Sequence, residues 1–274
     1  MASVFTHTSS RVLAGVIASC ALLVCLAAAA PQEFASRDAL WIVVHDDCVP
    51  GQLQRHDPTP CARVDLDSGV EKGFAILKDI RGGEQFLLIP TARIAGIESP
   101  EILAPDAPNY FADAWDARPY LYQALGRTVP RDDIALAINS VAGRSQDQLH
   151  IHVDCVRPDV QQTLRNDAAA IGNTWAPLVV GPYGHHYWAM WLPGDELGAN
   201  NPFRLLAQGV PGAAADMGDR TLVVIGSSRA NGAAGFVILE DQVDRAGHDI
   251  ANGEELLDHA CRIAADAPAA PLKN

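Results

Sequence analysis

Positive charge is what this sequence is short of. Lys and Arg number 20 against 33 Asp and Glu, a formal net charge of −13 over 274 residues. A sequence-independent grip on nucleic acid needs a basic face, so nucleic acid is excluded as a partner. An anionic small molecule is not, because a few local cations or backbone amides hold a phosphate. No C-x-x-C pair occurs, which argues against a cysteine zinc site. No internal repeat is visible, which removes solenoids and propellers, and no glycine–serine linker divides the chain. At 49% apolar and 19% charged residues, the composition is that of a globular protein.

Long apolar runs are also absent, with one exception. Val12 to Ala30 is unbroken, follows a single cation at Arg11 and stops at Pro31. Its length approaches the ~20 residues that span a bilayer core, and its small residues Ala27 to Ala30 resemble a cleavage region. Residues 1–31 are therefore expected to be a signal sequence or a retained N-terminal membrane anchor helix, which implies export. Outside that segment remain Cys48, Cys61, Cys155 and Cys261, enough for two disulfides in an oxidising compartment. Cys48 and Cys61 bracket VPGQLQRHDPTP, read as a polar loop unable to hold itself together by apolar packing. Pairing them leaves Cys155 with Cys261.

Apolar runs at 73–80 and 84–90 flank the glycine pair of RGG and predict a β-hairpin. Residues 109–125 carry aromatics at helical spacing, interrupted by Pro119. Strands are expected at 134–140, 148–155, 185–193, 221–228 and 235–243. Helices are expected from Pro158 to about Ile171, at 201–210 and at 253–265, and the tail 266–274 is expected to fray. Hairpins mixed with helices predict an α+β fold on an antiparallel sheet with flanking helices.

The chemistry concentrates in SQDQLHIHVDCV. On a strand, Gln148, His150, His152 and Asp154 share one face and Leu149, Ile151, Val153 and Cys155 the other. The second row suits a core, so the first is expected to be a wet or functional face. Spacing alone leaves three readings: a plain exposed strand, a metal site in which His150, His152 and Asp154 ligate zinc, or a phosphorus-attacking nucleophile. The nucleophile needs a neutral, oriented imidazole close to donors. The turn NSVAGRSQ supplies Asn139, Arg144, Ser145 and Gln146 just ahead.

That turn followed by QLHIH resembles the histidine-triad (HIT) motif, and FLLIPTARI resembles the strand that ends in Pro-x-x-His. The resemblance is closer to the bacterial CDP-diacylglycerol pyrophosphatases (hydrolases). It is carried by the apolar leader, the cysteines at 48 and 61, GFAILKD, LLIPTARIAGIESP, the segment 135–160 and Cys261. It implies a HIT-like domain over 40–265 that hydrolyses CDP-diacylglycerol without metal or cofactor. It implies a single-pass inner-membrane protein with its catalytic domain in the periplasm. Residue by residue, it makes His150 the nucleophile and His152 a phosphate or leaving-group contact. Gln148 stands where the family superfold has its first histidine, and Arg93 replaces the Pro-x-x-His histidine. Asn139, Ser145 and Gln146 match the nucleotide-facing turn, while Arg144 and Lys78 are further phosphate candidates. The competing functions are a metal-dependent phosphoesterase using His150 and His152, and a non-catalytic exported nucleotide-lipid-binding protein.

Overall fold

The hairpin expected around RGG forms, and a sheet grows on both sides of it. The computed structural model describes residues 1–2, 36–178 and 184–265. The apolar run Val12 to Ala30 and the tail 266–274 lie outside the described residues. Among the described residues, no helix is long and apolar enough to cross a membrane. The strands are β1 (Arg63–Asp65), β2 (Phe74–Lys78), β3 (Phe86–Pro90), β4 (Ile134–Ile138), β5 (Ile151–Cys155), β6 (Ala176–Pro177), β7 (Trp188–Pro193), β8 (Arg220–Ser228) and β9 (Ala234–Gln242). Among the described residues they form one nine-stranded sheet, ordered β1-β2-β3-β5-β4-β8-β9-β7-β6. Every pairing is antiparallel. Both edges are very short, and Pro177 removes a donor from one, which leaves little template for another chain.

Alternation along the strands divides the core. Ile76, Leu88, Ile151, Val153, Leu136, Val224 and Ile238 face one side, where helices pack on them. These are α3 (Tyr110–Asp116), α4 (Arg118–Leu125) and α6 (Pro202–Gly209), preceded in the chain by α1 (Ala39–Ile42) and α2 (Val49–Arg55). Asn109 caps α3, and Pro119 sits in the first turn of α4, where its missing N–H is harmless. The expected 109–125 helix is thus two helices broken at Ala117. Phe111 meets Phe203 at 4.9 Å between ring centroids, and Trp115 meets Phe236 edge-on at 4.8 Å. Truncating any of these rings would cost about 3–5 kcal/mol.

The opposite face carries two separate apolar clusters. One joins β4, β8 and β9 to α5 (Pro158–Asn166) through Ala137, Val223, Leu239, Val160 and Leu256. The other joins Ala75, Leu87 and Ile89 to Val44, Cys48 and Val49. That second cluster corrects the expected polar loop after Cys48. Val44, Cys48 and Val49 give the segment an apolar side, so α1, a π-helical turn (Val43–Cys48) and α2 run on into it. Both expected disulfides are present, with Cα–Cα distances of 5.7 Å for Cys48–Cys61 and 5.2 Å for Cys155–Cys261.

Two further expectations shift. The helix from Pro158 stops at Asn166. The C-terminal helix does not form: 253–265 is two 3-10 turns, Gly253–Leu256 and Arg262–Ala264. Its backbone is used elsewhere, since Leu257 bridges to Val156 and the Asp258 amide donates to the Cys155 carbonyl. Cys261 then takes a left-handed φ of 46°. The segment is stitched to the end of β5 instead of coiling.

Candidate active site

β5 lies between β3 and β4, so its polar row falls between the two apolar clusters of that face. The row is not wet. Gln148, His150, His152 and Asp154 are 0%, 6%, 3% and 0% exposed, so of the expected wet or functional face the wet alternative is removed. The ladder begins only at Ile151, with His150 immediately before it. Leu149, Ile151, Val153 and Cys155 face the core as expected.

Buried polar groups need partners, and the partners define the site. His150 Nδ1 donates to the carbonyl of Gln148 at 2.7 Å, which leaves the lone pair on Nε2. Burial lowers the His150 pKa below the ordinary imidazole value, so the ring is neutral at pH 7. The His152 ring stands 5.1 Å away, tilted by 66°. Its Nδ1 faces Gln85 Oε1 at 3.4 Å, and its Nε2 is 3.2 Å from Glu254 Oε1 without hydrogen-bond alignment. The Gln85 amide donates to Asp79 and to the Arg81 carbonyl, which fixes its oxygen toward the ring. His152 therefore has an acceptor at each nitrogen, yet burial and the neighbouring His150 hold its pKa well down.

Three residues that spacing did not single out complete the cluster. Glu254, from the 3-10 turn, accepts from Asn139 Nδ2 at 2.6 Å. His259 Nδ1 bonds Asp154 Oδ2 at 2.6 Å, and its Nε2 is 3.9 Å from Glu254 Oε2. The hydrogen bond to Asp154 raises the His259 pKa, while burial raises that of Asp154 despite the pairing. Arg81, at the β2–β3 turn, is close enough to act electrostatically on His152. Glu254 and His259 lie about a hundred residues beyond β5, in a segment whose apolar spacing reads as a helix. The one sequence signal was Cys261, whose bridge to Cys155 brings that segment to the strand.

The other expected phosphate contacts disperse. Lys78 pairs with Phe86, which pairs with Val153, so it lies on the face opposite His152, its ammonium 5.6 Å from the Phe86 ring centroid. Arg93 is exposed, ion-paired with Asp38 and set over Trp41. Arg144 is buried with a double contact to Glu98 and a third to Asp147, which also takes Arg37. Gln146 accepts from the Leu40 amide and donates to the Ser36 carbonyl. These side chains clasp the lead-in to α1. Ser145 is exposed beside them. Gln148 donates to the carbonyls of Pro90 and Ala92, and its Oε1 is buried without a partner. Asn139 alone of the turn residues reaches the histidine cluster. Ser140, unremarked in the sequence, ties the turn by accepting from the amides of Ala142 and Gly143.

A neutral buried imidazole with a free nitrogen, beside a second histidine, a carboxylate and a histidine–aspartate pair, can attack an electrophile and move protons. The family model described as CDP-diacylglycerol pyrophosphatase matches residues 35–265. A CDP-diacylglycerol pyrophosphatase of Yersinia pestis is 41% identical over 236 residues, 86% of this chain and 88% of its own length. The match takes in the whole sheet, both disulfides and the C-terminal segment as well as the histidine strand, and the chain belongs to the CDP-diacylglycerol pyrophosphatase family.

Proposed function

We propose that the protein hydrolyses CDP-diacylglycerol to CMP and phosphatidate through a nucleotidyl-histidine. The observation that carries this is the His150 Nδ1–Gln148 carbonyl bond, which fixes the tautomer and leaves the lone pair of a neutral ring on Nε2, the nucleophile. Nε2 forms a bond to the cytidylyl phosphorus as the bond from that phosphorus to the bridging oxygen breaks. Phosphatidate leaves with the electron pair. The ring gains positive charge in this step, so its Nδ1–H bond to the carbonyl strengthens in the transition state. Water then attacks phosphorus, the P–N bond breaks, Glu254 takes the water proton and CMP departs.

The leaving group explains why Gln148 is tolerable where the family superfold carries a histidine. A phosphate monoester has a second pKa of about 6, so it departs with little need of a proton. Assistance available to it comes from His259, whose pKa is raised, and from His152 beside Glu254. Arg81 and a protonated His259, which both act electrostatically on His152, are the cations assigned to the equatorial oxygens, with Asn139 as a neutral donor. The antiparallel sheet, with His152 on a central strand and His150 immediately before it, supports a HIT-like fold. The apolar segment Val12 to Ala30 supports a single inner-membrane anchor with the domain in the periplasm, where two disulfides are at home. Enzyme and acyl chains would then share one surface.

The test is a rapid quench of purified protein with CDP-diacylglycerol labelled in the cytidylyl phosphate. An acid-labile, alkali-stable label on His150 is expected, with CMP released at the same rate as phosphatidate or later. CMP release without any protein-bound label would overturn the covalent route, and binding without CMP release would overturn hydrolysis.

A further inference from the structure

Glu254 and Glu255 are consecutive in one 3-10 turn, yet they serve different clusters. Glu254 faces the histidines of the candidate active site. Glu255 faces His185, whose Nδ1 is 2.7 Å from Glu255 Oε1, 3.3 Å from Asp249 Oδ2 and 3.9 Å from Asp241 Oδ2. Tyr187 donates to the same Glu255 oxygen at 2.7 Å. One ligand atom each from His185, Asp241 and Glu255 lies within 4.8 Å of the others, close to the ~4.2 Å diameter of a coordination sphere with 2.1 Å bonds.

The carboxylates are aimed, not merely crowded. Asp241, 3% exposed on β9, gives Oδ1 to the Gln242 amide at 2.7 Å, and its Oδ2 is buried with no partner. Asp249, 7% exposed, gives Oδ1 to the Ala251 amide at 2.8 Å and turns Oδ2 to the cluster. Backbone therefore holds one oxygen of each and directs the other inward. The neighbouring Glu240 illustrates the usual remedy for a buried carboxylate, being met by Arg220 at 3.2 Å. Among the described residues, the ion pairs of Asp241, Asp249 and Glu255 are all to His185. One imidazole proton cannot serve three carboxylates. A cavity of about 660 Å³ lined by His185, Asp241 and Asp249 gives an ion a way in.

We propose that His185, Asp241, Asp249 and Glu255 form a binding site for one divalent transition-metal ion of the zinc or manganese class. An imidazole nitrogen joined to carboxylate oxygens selects that class over magnesium or calcium, which favour oxygen alone. The ion ties the approach to β7, β9, the 244–251 loop and the Gly253–Leu256 turn, and so fixes the turn from which Glu254 projects. It is a structural site: no step of the hydrolysis passes through it.

Protein stripped with chelator and titrated with zinc or manganese chloride by calorimetry tests this. One equivalent bound, a raised melting temperature and a Co2+ spectrum without thiolate charge-transfer bands are expected. Asp241→Asn and Asp249→Asn should each weaken binding at least about tenfold, while His152→Gln leaves it unchanged. In the stripped state Asp241→Asn should melt no lower than the wild type, since it replaces a buried carboxyl whose Oδ2 has no hydrogen-bond partner, so misfolding cannot mimic the result. Absence of stoichiometric binding by the wild type, or binding abolished by His152→Gln and not by Asp241→Asn, would overturn the site. Then Asp241 and Asp249 share a proton instead. The readout is binding, so its failure is separate from any failure of the hydrolase reading, which turnover reports.

Discussion

His150 donates through Nδ1 to the carbonyl oxygen of Gln148, two residues back on its own chain, at 2.7 Å. The contact uses backbone, so no side-chain change at 148 removes it. His150→Ala is expected to lower kcat by about 10⁴-fold or more, with the disulfides and fold intact. Gln148→Ala keeps the tautomer and loses the two bonds to Pro90 and Ala92. Its expected cost is about 1–3 kcal/mol of stability with a much smaller effect on kcat. Steady-state kinetics beside urea melts separate the two; equal losses of kcat would mean that the Gln148 side chain itself takes part.

The pH profile follows from opposite shifts in two histidines. In the proposed mechanism His150 attacks as the neutral ring, and burial lowers its pKa, so activity should fall only as pH drops through a value below 6.5. The proposed donor role of His259 needs the protonated ring, and Asp154 raises its pKa, so activity should fall as pH climbs through a value above 6.5. The plateau is therefore wider on both sides than two free imidazoles would give. Asp154→Asn removes the main cause of the upward shift and should move the alkaline limb toward acid while sparing the acid limb. An alkaline limb unmoved by both Asp154→Asn and His259→Gln would exclude His259 as the proton donor.

Glu254 receives Asn139, approaches His152 and stands near His259, so its charge links the cluster. Glu254→Gln keeps the shape and an oxygen for Asn139 but removes the base of the proposed second step. A fall in kcat of about 10²–10⁴-fold with little change in melting temperature is expected. Rapid-quench data should show the covalent intermediate accumulating, since loss of the base slows water attack more than imidazole attack. A loss confined to KM would assign Glu254 to binding alone.

Much of this arrangement could be read from residue order, and the remainder has physical reasons. Alternation in QLHIHVDC located both histidines and the core-facing row, because a strand's two faces are written in its period. Burial of the polar row was hidden, since it depends on what lies over the strand. The covering residues, Glu254 and His259, come from a segment whose apolar spacing imitates a helix. That helix loses to the bridge at Leu257, the Asp258–Cys155 bond and the disulfide. Register sets Lys78 on the face opposite His152: one residue of difference puts a side chain on the other face. Arg144 of the turn and Arg93 after β3 read as phosphate contacts in the sequence, but Glu98 and Asp147 engage the first and Asp38 the second.

Gly253 sets how closely the Glu254 turn approaches the sheet. A Cβ there would stand 2.7 Å from Thr221 Oγ1 and 3.0 Å from Val223 Cγ2, and neither strand residue can retreat from a packed core. Gly253→Ala should push the turn outward, moving Glu254 away from His152. A displacement near 1 Å costs on the order of 10²-fold in rate, and kcat is expected to fall by that amount in a protein that still folds. Unchanged kcat would mean that the turn tolerates more movement than its packing implies.

The two disulfides should differ in what their loss does. Cys48–Cys61 closes 13 residues and holds α2 to β1, away from the histidines; the chain-entropy model assigns a loop of that size about 3 kcal/mol. Cys155–Cys261 closes 106 residues, worth about 4.7 kcal/mol, and its two ends are the last residue of the histidine strand and the segment that carries Glu254 and His259. Replacing both members of each pair by alanine should therefore destabilise the protein in either case. Only the loss of Cys155–Cys261 should lower kcat at temperatures where the variant is still folded, because it alone loosens Glu254 and His259 relative to His150. Circular dichroism at the assay temperature, read beside kcat, checks this. Equal kcat in the two folded variants would mean that the Asp154–His259 and Leu257–Val156 contacts hold the segment without the bridge.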